Sequence, residues 1–165
     1  MSYLKKILVL SDSHGNLPAL RNVLQAEPGT TDIIFLGDGA NDLETLLKEN
    51  PQLKIQAVQG NCDNNSSLPN ESLLQIENTT IFFCHGHGYQ VKLTVAALRY
   101  AARQKGASIA LFGHTHCPYY EYNDGLYLFN PGSVSRPRIG RPTYGLIIFG
   151  EEIPRFYHKE VPAYW

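Results

Sequence analysis

Along the chain, uninterrupted apolar runs alternate with segments whose apolar positions recur every three or four residues. Lys6 to Ser11 is the first run, the pattern of a strand buried on both faces. Leu17, Leu20, Val23 and Leu24 follow at helical spacing, with Asn16 as a cap, Pro18 in the first turn and Gly29 past the end. Asp32 to Gly37 predicts a second buried strand. Asn41 and Glu44 form a capping-box-like pair that opens a helix carrying Leu46 and Leu47. Ile55 to Gln59 predicts a third strand. The order β-α-β-α-β predicts a parallel sheet with covering helices.

From Leu73 the pattern changes. Leu73 to Ile76 and Thr80 to Cys84 read as a hairpin through Glu77-Asn78-Thr79. A third helix is predicted with Leu93, Ala96, Ala97 and Tyr100 on its buried stripe and Gly106 as its stop. Strands are then predicted at Ile109 to Phe112, Tyr119 to Tyr122, Leu126 to Phe129, Tyr144 to Phe149 and Arg155 to His158. The Asn123-Asp124-Gly125 turn predicts antiparallel pairing on either side of it.

Composition narrows the class. A chain of 165 residues matches one domain, expected over residues 1–165, and 43% hydrophobic with 18% charged residues excludes disorder. Fourteen basic residues against 15 acidic ones leave a net charge of -1, which argues against dedicated nucleic-acid binding and against an anionic-membrane binder. The apolar runs are strand-length, so no membrane span is expected. Lys5 and Lys6 precede an apolar run that is too short for a signal peptide. Cys62, Cys84 and Cys117 are too few and scattered for a disulfide framework, which predicts reduced thiols and a cytoplasmic setting.

The chemistry gathers where strands end. Ser11-Asp12-Ser13-His14-Gly15, Gly37-Asp38-Gly39, Gly60-Asn61-Cys62-Asp63, Cys84-His85-Gly86-His87-Gly88 and Gly113-His114-Thr115-His116 each place polar groups beside glycine after a buried strand. In open α/β sheets ligands bind at that end. Asp12 and His14 are two apart at the end of an extended segment, so both are expected to point the same way, and His114 with His116 repeats the spacing. With Asp38, Asn61 and His85 these give seven oxygen and nitrogen donors, too many for one tetrahedral zinc and right for two ions sharing a carboxylate. Mixed imidazole and carboxylate ligation suits Mn, Fe, Co, Ni or Zn rather than Ca. His87 reads equally as a ligand and as a structural residue; His158, in the last strand, reads as structural.

The ordered series Asp-x-His, Gly-Asp-Gly, Gly-Asn-x-Asp, His-Gly-His and Gly-His-Thr-His, followed by Asn130-Pro131-Gly132-Ser133, resembles the calcineurin-like metallophosphoesterases. Within them it is similar to the small single-domain bacterial and archaeal phosphodiesterases. The resemblance implies an α/β fold, a metallophosphoesterase-type sandwich of two mixed β-sheets flanked by α-helices. It implies that Asp12, His14 and His116 hold a first metal, that Asn61, His85 and His114 hold a second, and that Asp38 bridges both. Asp38, Asn61 and His85 are thereby assigned to the catalytic step as well. Two divalent ions, Mn foremost, would hold a bridging hydroxide for in-line attack on a small phosphodiester. Larger family members carry His directly after the Asn ligand. Here Cys62 stands there, which implies weak monoesterase activity and leaves Asp63 without the partner assigned to it.

Substrate contacts are read from charge. The loop Ser135-Arg136-Pro137-Arg138-Ile139-Gly140-Arg141 offers Arg136 and Arg138 as phosphate forks or stands as plain solvated surface. Cys62 and Asp63 are further candidates for substrate contact. Tyr119, Tyr120 and Tyr122 point to sheet packing or a subunit interface, which leaves a homo-oligomer open. The alternative from another class is a non-catalytic metal-binding scaffold of the same fold that binds protein partners, as a cargo-sorting coat subunit does.

Overall fold

The computed structural model describes residues 4–64 and 66–163. Its elements in chain order are β1 (Lys5–Leu10), α1 (Leu17–Ala26), β2 (Asp32–Phe35), α2 (Ala40–Glu49), β3 (Lys54–Ala57), β4 (Glu71–Ile76), β5 (Thr79–Cys84), a single 3-10 turn at His87–Tyr89, α3 (Ala96–Gln104), β6 (Ile109–Leu111), β7 (Pro118–Asn123), β8 (Leu126–Pro131), β9 (Thr143–Phe149) and β10 (Arg155–Glu160). They form two five-stranded sheets, ordered β10-β9-β1-β2-β3 and β4-β5-β6-β8-β7. Both are mixed. β1, β2 and β3 run parallel in the first sheet, and β5, β6 and β8 run parallel in the second. The expected sandwich of two mixed sheets flanked by helices is the fold observed.

The uninterrupted apolar runs are explained by burial on both sides. Ile7 and Val9 of β1 pack between the sheets against Ile81, Phe83, Ile109, Leu111 and Phe129. Their neighbours Leu8 and Leu10 turn outward onto Ala19, Leu20, Val23, Leu43 and Leu46 of α1 and α2. The second sheet is covered by α3 through Leu98 and Ala102, which meet Phe82, Ala110 and Leu128. Each buried Leu, Ile, Val or Phe among them contributes about 1.5–3 kcal/mol relative to exposure.

Three local expectations are corrected. Leu93 and Tyr100 are 81% and 67% exposed, and Ala96 and Ala97 are exposed with them, so α3 buries the opposite stripe. Periodicity fits both faces, and the sheet selects the one with Leu98 and Ala102. Asn41 and Glu44 do not cap α2: Gly39 is its N-cap residue, without a side-chain cap bond. The carboxylate of Asp63, from a distant loop, takes the N–H groups of Gly39 and Ala40 instead. Finally, Asp12 and His14 are not extended. Their φ angles of 59° and 44° are left-handed.

The β7–β8 hairpin fits its turn chemistry, whereas Thr79, expected in the turn before β5, opens that strand and pairs with Ile76 across Glu77-Asn78. Asn123 pairs with Leu126 across Asp124-Gly125, both with positive φ, as a two-residue turn of the right twist requires.

Candidate metal centre

The loops leaving the carboxyl ends of β1, β2, β3, β5 and β6 meet at one end of the sandwich. Main-chain bonds join them: Asp12 N–H donates to Gly37 O, His14 N–H to Asp38 O, and Gly113 N–H to His85 O, at 2.8–2.9 Å. The approach is close enough to forbid side chains. A Cβ on Gly60 would lie 2.1 Å from Asp38 Oδ1, and one on Gly113 would lie 2.1 Å from Ser11 Oγ.

Within this junction the histidines and aspartates form two triads. Asp12, His14 and His116 offer ligand atoms all within 4.8 Å of one another, and so do Asp38, His85 and His114. Asp12 Oδ1 stands 3.3 Å from His116 Nε2, 3.7 Å from His14 Nε2 and 3.8 Å from His85 Nε2. Asp38 Oδ2 reaches both triads, 3.2 Å from His85 Nε2 and 3.6 Å from His14 Nε2. Asp12, His14, Asp38, His114 and His116 all have φ between 44° and 70°, in the left-handed region. Such non-glycine conformations cost about 1–3 kcal/mol each and persist where the surroundings enforce them, characteristically at functional sites.

The donor set fits divalent cations. Asp12 is fully buried, its Oδ2 accepts from Ser11 Oγ and His114 N, and its Oδ1 is the buried side-chain polar atom left without a hydrogen bond among the described residues. A fully buried carboxylate oxygen left bare costs stability unless something binds it. The imidazoles are oriented to leave lone pairs facing inward. His85 Nδ1 donates to Leu36 O and His116 Nδ1 donates to Arg136 O, each at 2.7 Å, so Nε2 of each is free for a cation. Ring nitrogens crowd accordingly: His14 and His116 Nε2 are 3.2 Å apart, as are His85 Nε2 and His114 Nδ1.

Electrostatics agrees. Burial alone would raise the Asp12 pKa, but the His116 and His14 contacts overturn that and hold the carboxyl well below the usual range. Asp38 is likewise lowered, since His85 and the Cys62 N–H outweigh burial. Burial would lower His85, but Asp38 and Asp12 raise it. His114 is pushed down to about 4 by burial and by the charges of His85 and Lys92, so its lone pair is open at neutral pH.

A cleft of about 230 Å³ opens beside the first triad, lined in part by His14, Asp38, Cys62, Asp63 and Arg136. Both loop arginines are exposed; Arg136 lines the cleft, whereas Arg138 does not and meets the centre through its N–H, which donates to His116 O at 3.2 Å. Cys62 Sγ lies within 4.8 Å of the ligand atoms of His14 and Asp38. Asn61, the seventh donor expected from the sequence, is exposed and does not line the cleft; its amide nitrogen donates to Cys62 Sγ at 3.5 Å. His87 is exposed beside the second triad, ring centroids 5.4 Å from His85 and 6.1 Å from His114.

Residues outside the donor set hold these loops. Asp42 accepts from Ser13 Oγ and Gly15 N–H. Ser133 and Ser135 hydroxyls both donate to Asp12 O. Asn130 Nδ2 donates to Gly113 O and Thr115 Oγ1. The Asn-Pro-Gly-Ser motif signals the last group; Asp42 and Ser135 carry no local signal, because their partners lie far along the chain.

Among the described residues no helix is long and apolar enough to cross a membrane. Comparison with known proteins supplies the family. The Calcineurin-like phosphoesterase superfamily domain matches residues 6–151. The probable metallophosphoesterase YsnB of Bacillus subtilis (strain 168) is 33% identical, covering 93% of this chain and 90% of its own. The phosphodiesterase YfcE of Escherichia coli (strain K12) is 31% identical over 86% of each. Vps29 from Entamoeba histolytica shares the fold, with TM-score 0.77, 23% identity and coverage of 93% of this chain and 91% of that one. The chain belongs to the calcineurin-like phosphoesterase superfamily.

Proposed function

We propose that this chain is a single-domain, metal-dependent phosphodiesterase that hydrolyses small phosphodiesters at a dinuclear centre, with Mn as the foremost candidate ion and Ni, Co, Fe or Zn as alternatives. The observation that carries the reading is Asp12 Oδ1, fully buried and without a hydrogen bond, facing the imidazoles of His14, His85 and His116. Asp12, His14 and His116 would hold one ion, His85, His114 and Asn61 the other, with Asp38 shared. When bound, the two cations would supply positive charge for the phosphate and would lower the pKa of water toward neutrality.

The chain's own groups do the rest. Asp38 sets the spacing of the two halves through Oδ2, while its Oδ1 is pinned by the Cys62 N–H at 2.8 Å. Arg136, in the cleft, orients a phosphate oxygen. No protein nucleophile is needed, and the two hydroxyls next to the ligands are built into the loops, with Ser13 fully buried. Ser13 Oγ donates to Asp42, and Thr115 Oγ1 accepts from Asn130 and Cys117 N–H. Cys62 faces the cleft as a weak donor, so leaving-group protonation is poor and diesters with good leaving groups are favoured. Three free cysteines support a reducing, cytoplasmic setting.

The scaffold reading has one observation in its favour, the exposed apolar stripe of Leu93, Ala96, Ala97 and Tyr100. The six His and Asp donors gathered in two triads favour the enzyme. The test is metal-stripped protein reloaded with Mn, Ni, Co or Zn and assayed on bis(p-nitrophenyl) phosphate, p-nitrophenyl phosphate and cyclic nucleotides. Metal-dependent diester cleavage is expected; a folded, metal-loaded protein inert on every ester would favour the scaffold.

A further inference from the structure

Asp42 is a buried carboxylate with no place in the donor set. It stands on the first turn of α2, just beyond Asp38. Its Oδ2 accepts Ser13 Oγ–H at 2.6 Å and Gly15 N–H at 2.9 Å. These two donors flank His14 on either side in sequence. The turn they belong to is left-handed at Asp12, His14 and Gly15, with φ of 59°, 44° and 85°. A non-glycine turn of that kind needs partners that over-determine it. Ser133 and Ser135 brace it through the carbonyls of Asp12 and Ser13. Asp42 braces the opposite side, through the hydroxyl of Ser13 and the N–H of Gly15.

Gly39 makes room for that brace. A Cβ there would lie 1.9 Å from Ser13 Oγ and 3.3 Å from Asp42 Oδ2. The end of α2 therefore carries Asp38 at its head, receives the Asp63 carboxylate as its cap, and grips the His14 turn through Asp42. His14 and Asp38 are fixed relative to each other by the same helix end.

We infer that Asp42 is a positioning residue that holds the His14 turn in ligand geometry and so sets the affinity of the Asp12–His14–His116 half of the centre, while the Asp38–His85–His114 half depends on it little. This rests on the functional reading above. The role is geometric: one carboxylate oxygen accepts two donors, and an amide oxygen in its place accepts the same two.

The test is Mn²⁺ binding to the metal-stripped chain of residues 1–165 by calorimetry, with circular dichroism to establish the fold. Wild type is expected to bind two equivalents. Asp42→Ala should weaken one of them about 10- to 100-fold, the usual cost of losing an outer partner, and leave the other in place. Asp42→Asn should restore it. Ser13→Ala, which deletes one of the two bonds, should weaken the same equivalent by a smaller factor, and it keeps the test alive where Asp42→Ala does not fold. Wild-type affinities at both positions in Ser13→Ala and in folded Asp42→Ala, equal loss at both positions, or an Asp42→Asn as weak as Asp42→Ala would each overturn the assignment. A wild type that takes up no ion would overturn the functional reading with it.

Discussion

The carboxylate of Asp63 accepts the backbone N–H of Asp38 at 2.7 Å. The same Oδ2 takes Gly60 N–H at 2.8 Å, and Oδ1 takes Gly39 and Ala40 N–H at 2.9 Å each. Asp63 is therefore not a residue stranded by the cysteine at position 62. It joins the β3 loop to the head of α2 and holds Asp38 at φ 60°.

Asp63→Ala should accordingly lower stability by about 2–4 kcal/mol, given a cost of about 1–3 kcal/mol for each buried donor left unpaired and partial rescue by water. Asp63→Asn should be nearly as costly, because its amide must aim N–H groups at one of the two pairs of N–H donors. Urea unfolding measures both. An Asp63→Asn variant as stable as wild type would remove the four-bond account.

The arginine loop separates into two cases. Arg136 lines the cleft and Arg138 does not. Arg136→Ala should raise KM at least tenfold, as expected of a charge-assisted contact of about 1.5–3 kcal/mol. Arg138→Ala, outside the cleft but with its charge near His116, should raise KM far less than Arg136→Ala. Equal effects in the two variants would return the loop to general surface charge.

A pH test of stability lies away from the metal centre. Tyr144 OH and Lys159 Nζ both donate to Glu27 Oε1 at 2.7 Å. Burial raises the Glu27 pKa, but Lys159 and Tyr144 outweigh it and hold it below the ordinary value of 4.5. The folded state then binds the proton less readily than the unfolded one, so the stabilisation is complete above the ordinary value and is lost as pH falls through the folded one. Glu27→Gln should cost about 1 kcal/mol at pH 7, the partly exposed Lys159 being screened, and the gap should narrow as the pH falls below the ordinary carboxyl value and Glu27 takes up its proton. A gap independent of pH would contradict the assignment.

Cys62 sets the predicted ester preference. Burial and the Asp38 carboxylate raise its thiol, so it stays protonated and a weak donor at neutral pH. Cys62→His should shift turnover toward alkyl monoesters, for which general acids contribute about 10²- to 10⁴-fold. Cys62→Ala should cleave activated diesters nearly as well as wild type. A large loss in Cys62→Ala with metals still bound would show that the thiol participates.

The strands were legible because Ile7 to Leu10, Ile33 to Leu36 and Ile81 to Cys84 are buried on both faces, and that burial writes a continuous apolar run. The donors were legible as His and Asp beside glycine at strand ends. Their geometry was not. Asp12 and His14 converge through left-handed turns enforced by Asp42, Ser133 and Ser135, contacts that cross the chain and leave no local pattern. The cap of α2 was misplaced for the same reason: Asp63 reaches it from another loop. On α3 both faces carry apolar residues, and tertiary packing chose Leu98 and Ala102.

The central claim is a two-ion centre joined by Asp38. Its most direct test is stepwise Mn²⁺ titration of metal-stripped wild type and Asp38→Asn, counting bound ions while following bis(p-nitrophenyl) phosphate hydrolysis. The account predicts two equivalents in wild type, turnover that appears with the second, and weakened binding of both in Asp38→Asn. Full turnover at one equivalent, or two tight equivalents in an equally active Asp38→Asn, would contradict it.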